Sequence, residues 1–364
     1  MRTPRVKLVH RPIALPGDRI MIGLMQYGMA AEIQDDEDGS IERLIRLMDG
    51  TRTTAQIYAE FAETHPGVTE ESVGEVVDGL IAAGYVEDAG APLPDNLTPR
   101  EAARYEPARN LFAWIDPTPR ASPFESQSLI KKARVALLGL GGTGSAVAAG
   151  LVSSGIGALH VADFDRVEEP NLTRQLLYTE QDIGALKVDA AVARLRAMNG
   201  LAEVTGDDTK VTGPDDVAAL MDGRDVFVLC ADEPHPDILA WTNEAALRTG
   251  TPWFTSFYAG PMAVVGSYFP GETGCWQCLT RQEAEREFRA HGRPLAPERP
   301  NAVVAATANI SGHLCALEVL YHLTGLPAQA RGRIFHWNYA RWDHSYFIDF
   351  PRDPQCPACG PAAR

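Results

Sequence analysis

Positive charge is scarce in this sequence. Its 364 residues carry 33 Lys and Arg against 48 Asp and Glu, a formal net charge of −15. That balance argues against a nucleic-acid partner, whose phosphates would demand a basic face, so none is expected. Long apolar runs are also missing. No stretch is long enough to cross a bilayer, and the N-terminus, MRTPRVKLVHRP, has no apolar centre of the kind a signal peptide needs. The expectation is a cytoplasmic protein with no membrane partner. Cysteine is sparse, with six residues in all, and in that compartment disulfides are disfavoured. What is present in quantity is core material. With 45% hydrophobic residues at this length, the chain calls for two domains.

The most informative stretch runs from Arg134 to Lys187. An apolar strand, Val135 to Leu138, leads into Gly139, Gly141, Gly142 and Gly144 and then into an Ala/Val/Leu-rich helix. That is the strand–turn–helix of a dinucleotide-type phosphate loop, where glycines let a phosphate reach backbone N–H groups at a helix N-terminus. Asp163 closes the next apolar strand about 20 residues on, the place of a carboxylate that takes ribose hydroxyls. A nicotinamide or flavin enzyme would need no more than this. Asn171, Arg174, Gln175 and Lys187 tip the reading toward a triphosphate, because cations beside the loop neutralise a departing pyrophosphate.

The remaining cysteine pattern is equally specific. Cys275-Trp-Gln-Cys278 and Cys356-Pro-Ala-Cys359 are two CxxC knuckles, and four thiolates make a closed tetrahedral zinc site. Their wide separation would tie the chain's C-terminus to its middle. Cys230 and Cys315 lie in apolar contexts and read as small packing residues.

The strings GLGGTG, DFDRVEEPNLTRQ and IGALK resemble the superfamily of ubiquitin-activating enzymes and the adenylyltransferases of molybdopterin and thiamine biosynthesis. The resemblance implies a Rossmann-like nucleotide-binding domain with a mixed sheet and structural zinc, using ATP and Mg2+. Carried over by position, the glycines from Gly139 to Gly144 form the loop, with Gly142 against the phosphates. Asp163 holds the ribose, Asn171, Arg174 and Lys187 contact the triphosphate, and Gln175 stands beside them. Asp232 matches the magnesium-binding aspartate, although Glu233 follows it where the family usually has Asn. Asp165 is either a second acidic contact or a surface residue. RYEPARNLFAWIDP is similar to the short segment whose arginine reaches the partner subunit's ATP in dimeric members. Arg109 or Arg104 would fill that role in a homodimer, the plain alternative being a surface arginine. The stretch after Cys278, TRQEAEREFRAHGRPLAPERPNA, holds no cysteine, so no protein thioester is expected. The charged run from Arg281 to Pro300 reads as a loop over the activated end of the substrate, ahead of a helix from Ala302.

The first 90 residues read as a small α+β winged helix-turn-helix: short strands over Val6 to Ile33, helices from Ile41, Thr54 and Glu70, and a final strand at GYVED. DNA binding, the usual task of that pattern, is excluded by eight Lys/Arg against sixteen Asp/Glu in the segment. The module resembles the peptide-recognition domain of enzymes that modify ribosomally made peptides, in which a leader segment adds as a strand to a sheet edge. A dimerisation or scaffold role is the alternative. The expected division is 1–90 for leader recognition, 91–125 for a linker with the arginine segment, and 126–364 for the adenylyltransferase domain. The expected function is adenylation of a carboxylate on a precursor peptide in peptide natural product biosynthesis. The alternatives are a non-catalytic peptide presenter for a cyclodehydratase and a sulfur-carrier adenylyltransferase.

Overall fold

In a computed structural model, which describes residues 2–23, 30–291 and 302–361, the chain divides into two units, Met1–Leu129 and Ile130–Arg364. Local signals set the elements of the first unit. Its strands are β1 (Pro4–Val6), β2 (Ile13–Leu15), β3 (Arg19–Ile22) and β4 (Ala31–Gln34), followed by helices α1 (Ser40–Leu47), α2 (Thr54–Ala62) and α3 (Glu70–Ala82) and by β5 (Val86–Asp88). β2, β3 and β4 form an antiparallel sheet in chain order, and β5 pairs with β1. Thr53 and Thr69 start α2 and α3 with reciprocal capping boxes, each side-chain oxygen accepting from the N3 backbone N–H. Ile20 and Ile22 from β3 meet Ile45, Ile57 and Val77 from the three helices in one buried cluster.

The stretch expected to be a linker carries structure of its own. Helix α4 (Pro99–Arg104) begins at a capping box on Thr98, and α5 (Glu106–Ile115) follows directly. Ahead of them, Asn96 Nδ2 donates to the Ser128 carbonyl at 3.0 Å, and Ser128 Oγ donates to Asn96 Oδ1 at 2.7 Å. A proline-containing run can therefore be fixed by a few side-chain bonds that its composition does not announce.

Helix α6 (Glu125–Lys132) carries the chain into the second unit. There β6 (Arg134–Leu138), α7 (Gly142–Ser153), β7 (Ala158–Ala162), α8 (Lys187–Met198), β8 (Glu203–Asp207), α9 (Pro214–Met221), β9 (Val226–Leu229) and α10 (Asp237–Thr249) alternate. They continue into β10 (Trp253–Ala259), β11 (Met262–Tyr268), α11 (Trp276–His291), α12 (Ala305–Leu323), β12 (Arg333–Asn338) and β13 (Ser345–Asp349). The eight-stranded sheet has the order β13-β12-β11-β10-β9-β6-β7-β8, parallel from β8 to β10 and antiparallel beyond it. It is the mixed sheet that the family resemblance implied. β6 and β9 are central, which is why Val135 to Leu138 and Val226 to Leu229 read as unbroken apolar runs. Trp253 and Phe254 are core, whereas Phe257 on the same strand is exposed.

Two expectations need correction. Arg281 to His291 is not loop but the body of α11, built from Gln, Glu, Ala and Arg, all good helix formers, with an Arg289–Glu285 pair one turn apart. Residues 292–300 of that expected loop lie outside the described residues. The helix expected from Ala302 begins at Ala305, where Thr307 Oγ1 accepts from the Val304 N–H at 3.2 Å and fixes the start.

The turn between β6 and α7 makes a sharp prediction. A Cβ on Gly144 would lie 1.9 Å from the Gly139 carbonyl oxygen, so the loop and the helix would have to separate. Gly144→Ala is expected to cost about 3 kcal/mol, a fall in melting temperature of about 6–12 °C by calorimetry. A melting temperature within 1 °C of the parent, by that same ~2–4 °C per kcal/mol scale, would contradict the close approach.

Candidate nucleotide site and four-cysteine cluster

The phosphate loop lies at the carboxyl ends of β6, β7 and β9, where open α/β sheets take their ligands. Gly139 adopts φ +94°, a left-handed conformation, and its missing Cβ leaves room for Ala231, whose backbone nitrogen would otherwise be 2.5 Å away. That contact brings the segment after β9, and therefore Asp232, beside the loop. Asp232 itself is exposed. Gly141 is the N-cap of α7, so the first backbone N–H groups of a twelve-residue helix face the loop.

Asp163 is buried and works on the loop directly. Its Oδ2 accepts from the Leu140 N–H at 2.6 Å and its Oδ1 from the Asp165 N–H at 2.9 Å. Ser145 Oγ and Tyr178 Oη both donate to the Leu140 carbonyl at 3.0 Å. Burial, and then the negative charge of Asp163, push the Tyr178 hydroxyl far above the ordinary phenol range, so it remains a donor. Neither Ser145 nor Tyr178 was singled out in the sequence. A serine in a glycine-rich helix and a tyrosine beyond the NLTRQ string carry no local sign that both clamp one carbonyl.

Asn171, Arg174 and Gln175 come from one irregular turn. The 3-10 stretch Glu169–Thr173 holds Asn171, whose Oδ1 accepts from the Glu168 N–H at 3.1 Å. Arg174 follows, with its guanidinium donating to the Pro170 carbonyl at 3.0 Å. Its side chain runs past Gly142, since a Cβ there would meet Arg174 Cγ at 3.2 Å and Ala308 Cβ at 2.9 Å. Gln175 is buried beside Gly141, and its Oε1 has no hydrogen-bond partner among the described residues. An orphaned, buried amide oxygen next to a phosphate loop fits a site completed by a bound ligand.

Lys187, the first residue of α8, is buried with its Nζ 2.8 Å from Asp165 Oδ2, while Asp165 is half exposed. The backbone repeats the link, the Lys187 N–H donating to the Asp165 carbonyl at 2.9 Å. Glycine loop, Asp163, Asp165, Asn171, Arg174, Gln175 and Lys187 are thus one connected constellation.

Arg109 has a different setting. In the first unit it is 8% exposed, with Nη1 3.3 Å from Glu87 Oε1, Nη2 2.8 Å from Glu106 Oε1, and Phe124 beneath the guanidinium. Two carboxylates and an aromatic ring hold it inward, so the expectation of an arginine extended toward a partner's nucleotide does not describe this conformation. Arg104, at the end of α4, is exposed.

Cys275, Cys278, Cys356 and Cys359 converge, with all four Sγ atoms within 4.8 Å of one another. The contacts are 3.6 Å for Cys275–Cys356, 3.9 Å for Cys275–Cys278 and 3.4 Å for Cys278–Cys359. A disulfide would require about 2.05 Å. Sulfurs about 2.3 Å from a tetrahedral zinc are about 3.8 Å apart, so the donor set and its spacing fit zinc. The Asp353 N–H points at Cys278 Sγ at 3.4 Å, the outer bond that a ligating thiolate commonly accepts. Cys230 and Cys315 stand apart from this cluster. Burial pushes the Cys230 thiol up to about 12 and Cys315 well above its ordinary value, so neither is a thiolate nucleophile at neutral pH.

Fold and site together define an α/β protein with a phosphate-loop nucleotide site and a four-cysteine knot. The sequence matches the ThiF family over residues 118–358, and the chain belongs to it. It is 31% identical to the sulfur carrier protein ThiS adenylyltransferase of Escherichia coli (strain K12) over 247 residues, 65% of this chain and 89% of that protein. Among solved structures it is similar to E. coli MccB with AMPCPP and MccA, at a TM-score of 0.75, 21% identity, 99% of this chain and 100% of that one. E. coli MccB with ATP gives a TM-score of 0.75 at 20% identity, over 98% of this chain and 99% of that one. The protein is therefore a ThiF-family member of the adenylyltransferase type, and the family supports use of ATP. No helix among the described residues is long and apolar enough to cross a membrane.

Proposed function

We propose that this protein uses ATP to adenylate a carboxylate of a peptide, releasing pyrophosphate, and that residues 1–90 are a winged-helix module that holds the peptide's leader segment. One observation carries the reading. The ThiF match begins at residue 118 and the sulfur-carrier relative covers 65% of the chain, whereas the likeness to MccB, solved with MccA, extends over 99% and includes the N-terminal unit. The sheet β2-β3-β4 supports it, because β2 and β4 each pair on one side only among the described residues. An extended peptide can add there by backbone bonds while alternate side chains select it.

The chemistry follows from the site. A peptide carboxylate, with a free pKa of about 3.3–4.3, is ionised at neutral pH and needs no general base. One of its oxygens forms a bond to the α-phosphorus, the bond from that phosphorus to the bridging oxygen breaks, and pyrophosphate leaves. Bringing one anion to another is the difficulty. Arg174 and Lys187 offset that repulsion, backbone N–H groups at the start of α7 receive phosphate oxygens, and Asp163 takes the ribose. Asn171 and Gln175 offer amide contacts to the nucleotide. Asp232 would hold the magnesium that accompanies ATP. The four cysteines would hold a structural zinc. In a homodimer a cross-subunit role would belong to Arg109 or Arg104, and for Arg109 it requires the pairs with Glu87 and Glu106 to open.

A sulfur-carrier substrate is the second reading, favoured by the 31% identity to the ThiS adenylyltransferase. The test is pyrophosphate release from ATP with short candidate precursor peptides, compared with a sulfur-carrier protein, followed by mass spectrometry. Peptide-dependent release with a mass change on the peptide is the expected result. Release driven only by the carrier protein would establish the second reading, and tight peptide binding without release would mark a presenter.

A further inference from the structure

We infer that Asn309, in the first turns of α12, is a positioning residue that sets Arg174 against the phosphate loop; the inference rests on the nucleotide site proposed above. The Asn309 amide nitrogen donates to the Arg174 carbonyl at 3.1 Å, across 135 positions of sequence, and to the Ala305 carbonyl at 2.7 Å. Both of its hydrogens are therefore spent, one inside its own helix and one on the arginine's backbone. Arg174 needs such a tether. It follows the last residue of a 3-10 turn, with φ −151° and ψ −15°, and a helix end leaves its carbonyls without helical partners.

The geometry beside it is tight. Arg174 Cγ and Ala308 Cβ both press on Gly142, at 3.2 Å and 2.9 Å from where its Cβ would be. Helix α12, Arg174 and the first turn of α7 thus meet at one point, and Asn309 is the polar link that closes the contact. Two further links hold the same turns of α12. Ser256 Oγ donates to the Ser311 carbonyl at 2.8 Å, and Tyr339 Oη donates to the Thr307 carbonyl at 2.6 Å. Asn309 accordingly stands on a stretch of helix that two further side-chain hydrogen bonds hold to the sheet side of the fold. A cation facing a departing pyrophosphate acts through its placement, and a 1 Å error can cost on the order of 100-fold.

Alanine at 309 removes the donor and leaves the Arg174 carbonyl to water. Asn309→Ala is expected to lower kcat/KM for ATP about 10-fold in pyrophosphate exchange run with the peptide or carrier protein whose carboxylate supports release, with a small change in melting temperature. Asn309→Asp, which turns an oxygen toward two carbonyls, is expected to lose at least as much. The deciding readout is a cycle with Arg174→Ala, itself expected to lower exchange about 100-fold. If Asn309 acts through the arginine, Asn309→Ala lowers activity less than about twofold once Arg174 is gone. An equal loss in both backgrounds, or wild-type activity in the single variant, overturns the inference while leaving the site intact. Wild-type exchange by Arg174→Ala overturns the nucleotide site itself. Should Asn309→Ala fail to fold, Asn309→Ser, which is polar and smaller, goes through the same cycle.

Discussion

Lys187→Ala is expected to lower ATP–pyrophosphate exchange about 1000-fold while leaving the protein folded. The magnitude follows from the site's task, because losing one preorganised charge-stabilising group costs about 10²–10³ in rate, and phosphoryl transfer depends on such groups heavily. Stability is the competing effect, and it is the smaller one. Lys187 pairs with Asp165 at 2.8 Å, but that carboxylate is 51% exposed and water can solvate it once the lysine is gone. A pair so screened contributes on the order of 1 kcal/mol or less. Exchange assays, melting curves and peptide binding on the same preparation separate the two effects. A collapse of exchange with peptide affinity retained is the expected pattern; turnover equal to the parent would falsify the assignment of Lys187. Lys187→Arg should also lose activity, since a planar fork does not replace a point charge in a buried position that already faces Asp165.

Removing the metal predicted for the four-cysteine cluster should lower the melting temperature by about 8–16 °C. The four thiols join the start of α11 to the last described residues, and Cys278 and Cys359 are 81 positions apart. Opening a closure of roughly that length releases about 4 kcal/mol of chain entropy, and each kcal/mol moves a domain of this size by about 2–4 °C. The parent protein should contain about one zinc per chain by elemental analysis. Treatment with a chelator and the variant Cys278→Ser should produce the same fall, because Cys278 is fully buried and central to the cluster. Agreement between the two arms matters, as a buried serine alone could destabilise. A metal-free parent whose stability ignores chelators would rule out the structural zinc.

Much of the fold was legible before any coordinates. The apolar strand at Val135, the helices from Thr54 and Glu70, and the glycine turn between β6 and α7 are local signals, and each element falls close to where it was expected. The two CxxC pairs were legible because their chemistry is carried by residue type and spacing alone. Other features left no local sign. Arg281 to His291 has no apolar stripe, so period gave no sign of a helix that propensity and salt bridges sustain. The resemblance that offered Arg109 for a partner's nucleotide says nothing of Glu87, contributed by β5, which pairs with it here.

The sequence by itself determined the nucleotide-binding type of the fold and the pairing of its thiols, because a glycine-rich phosphate loop and CxxC knuckles require particular residue types at particular offsets, and those offsets lie within single strand–turn–helix units or knuckles. Tertiary structure alone decided which groups hold the site in place. Asp163 bonds Leu140, Tyr178 and Ser145 share one carbonyl, and Asn309 reaches Arg174 from 135 positions away. Contacts of that kind depend on where the sheet order and the packing of α12 on α7 bring distant segments. A hydrogen bond between residues so far apart leaves no periodicity in the chain.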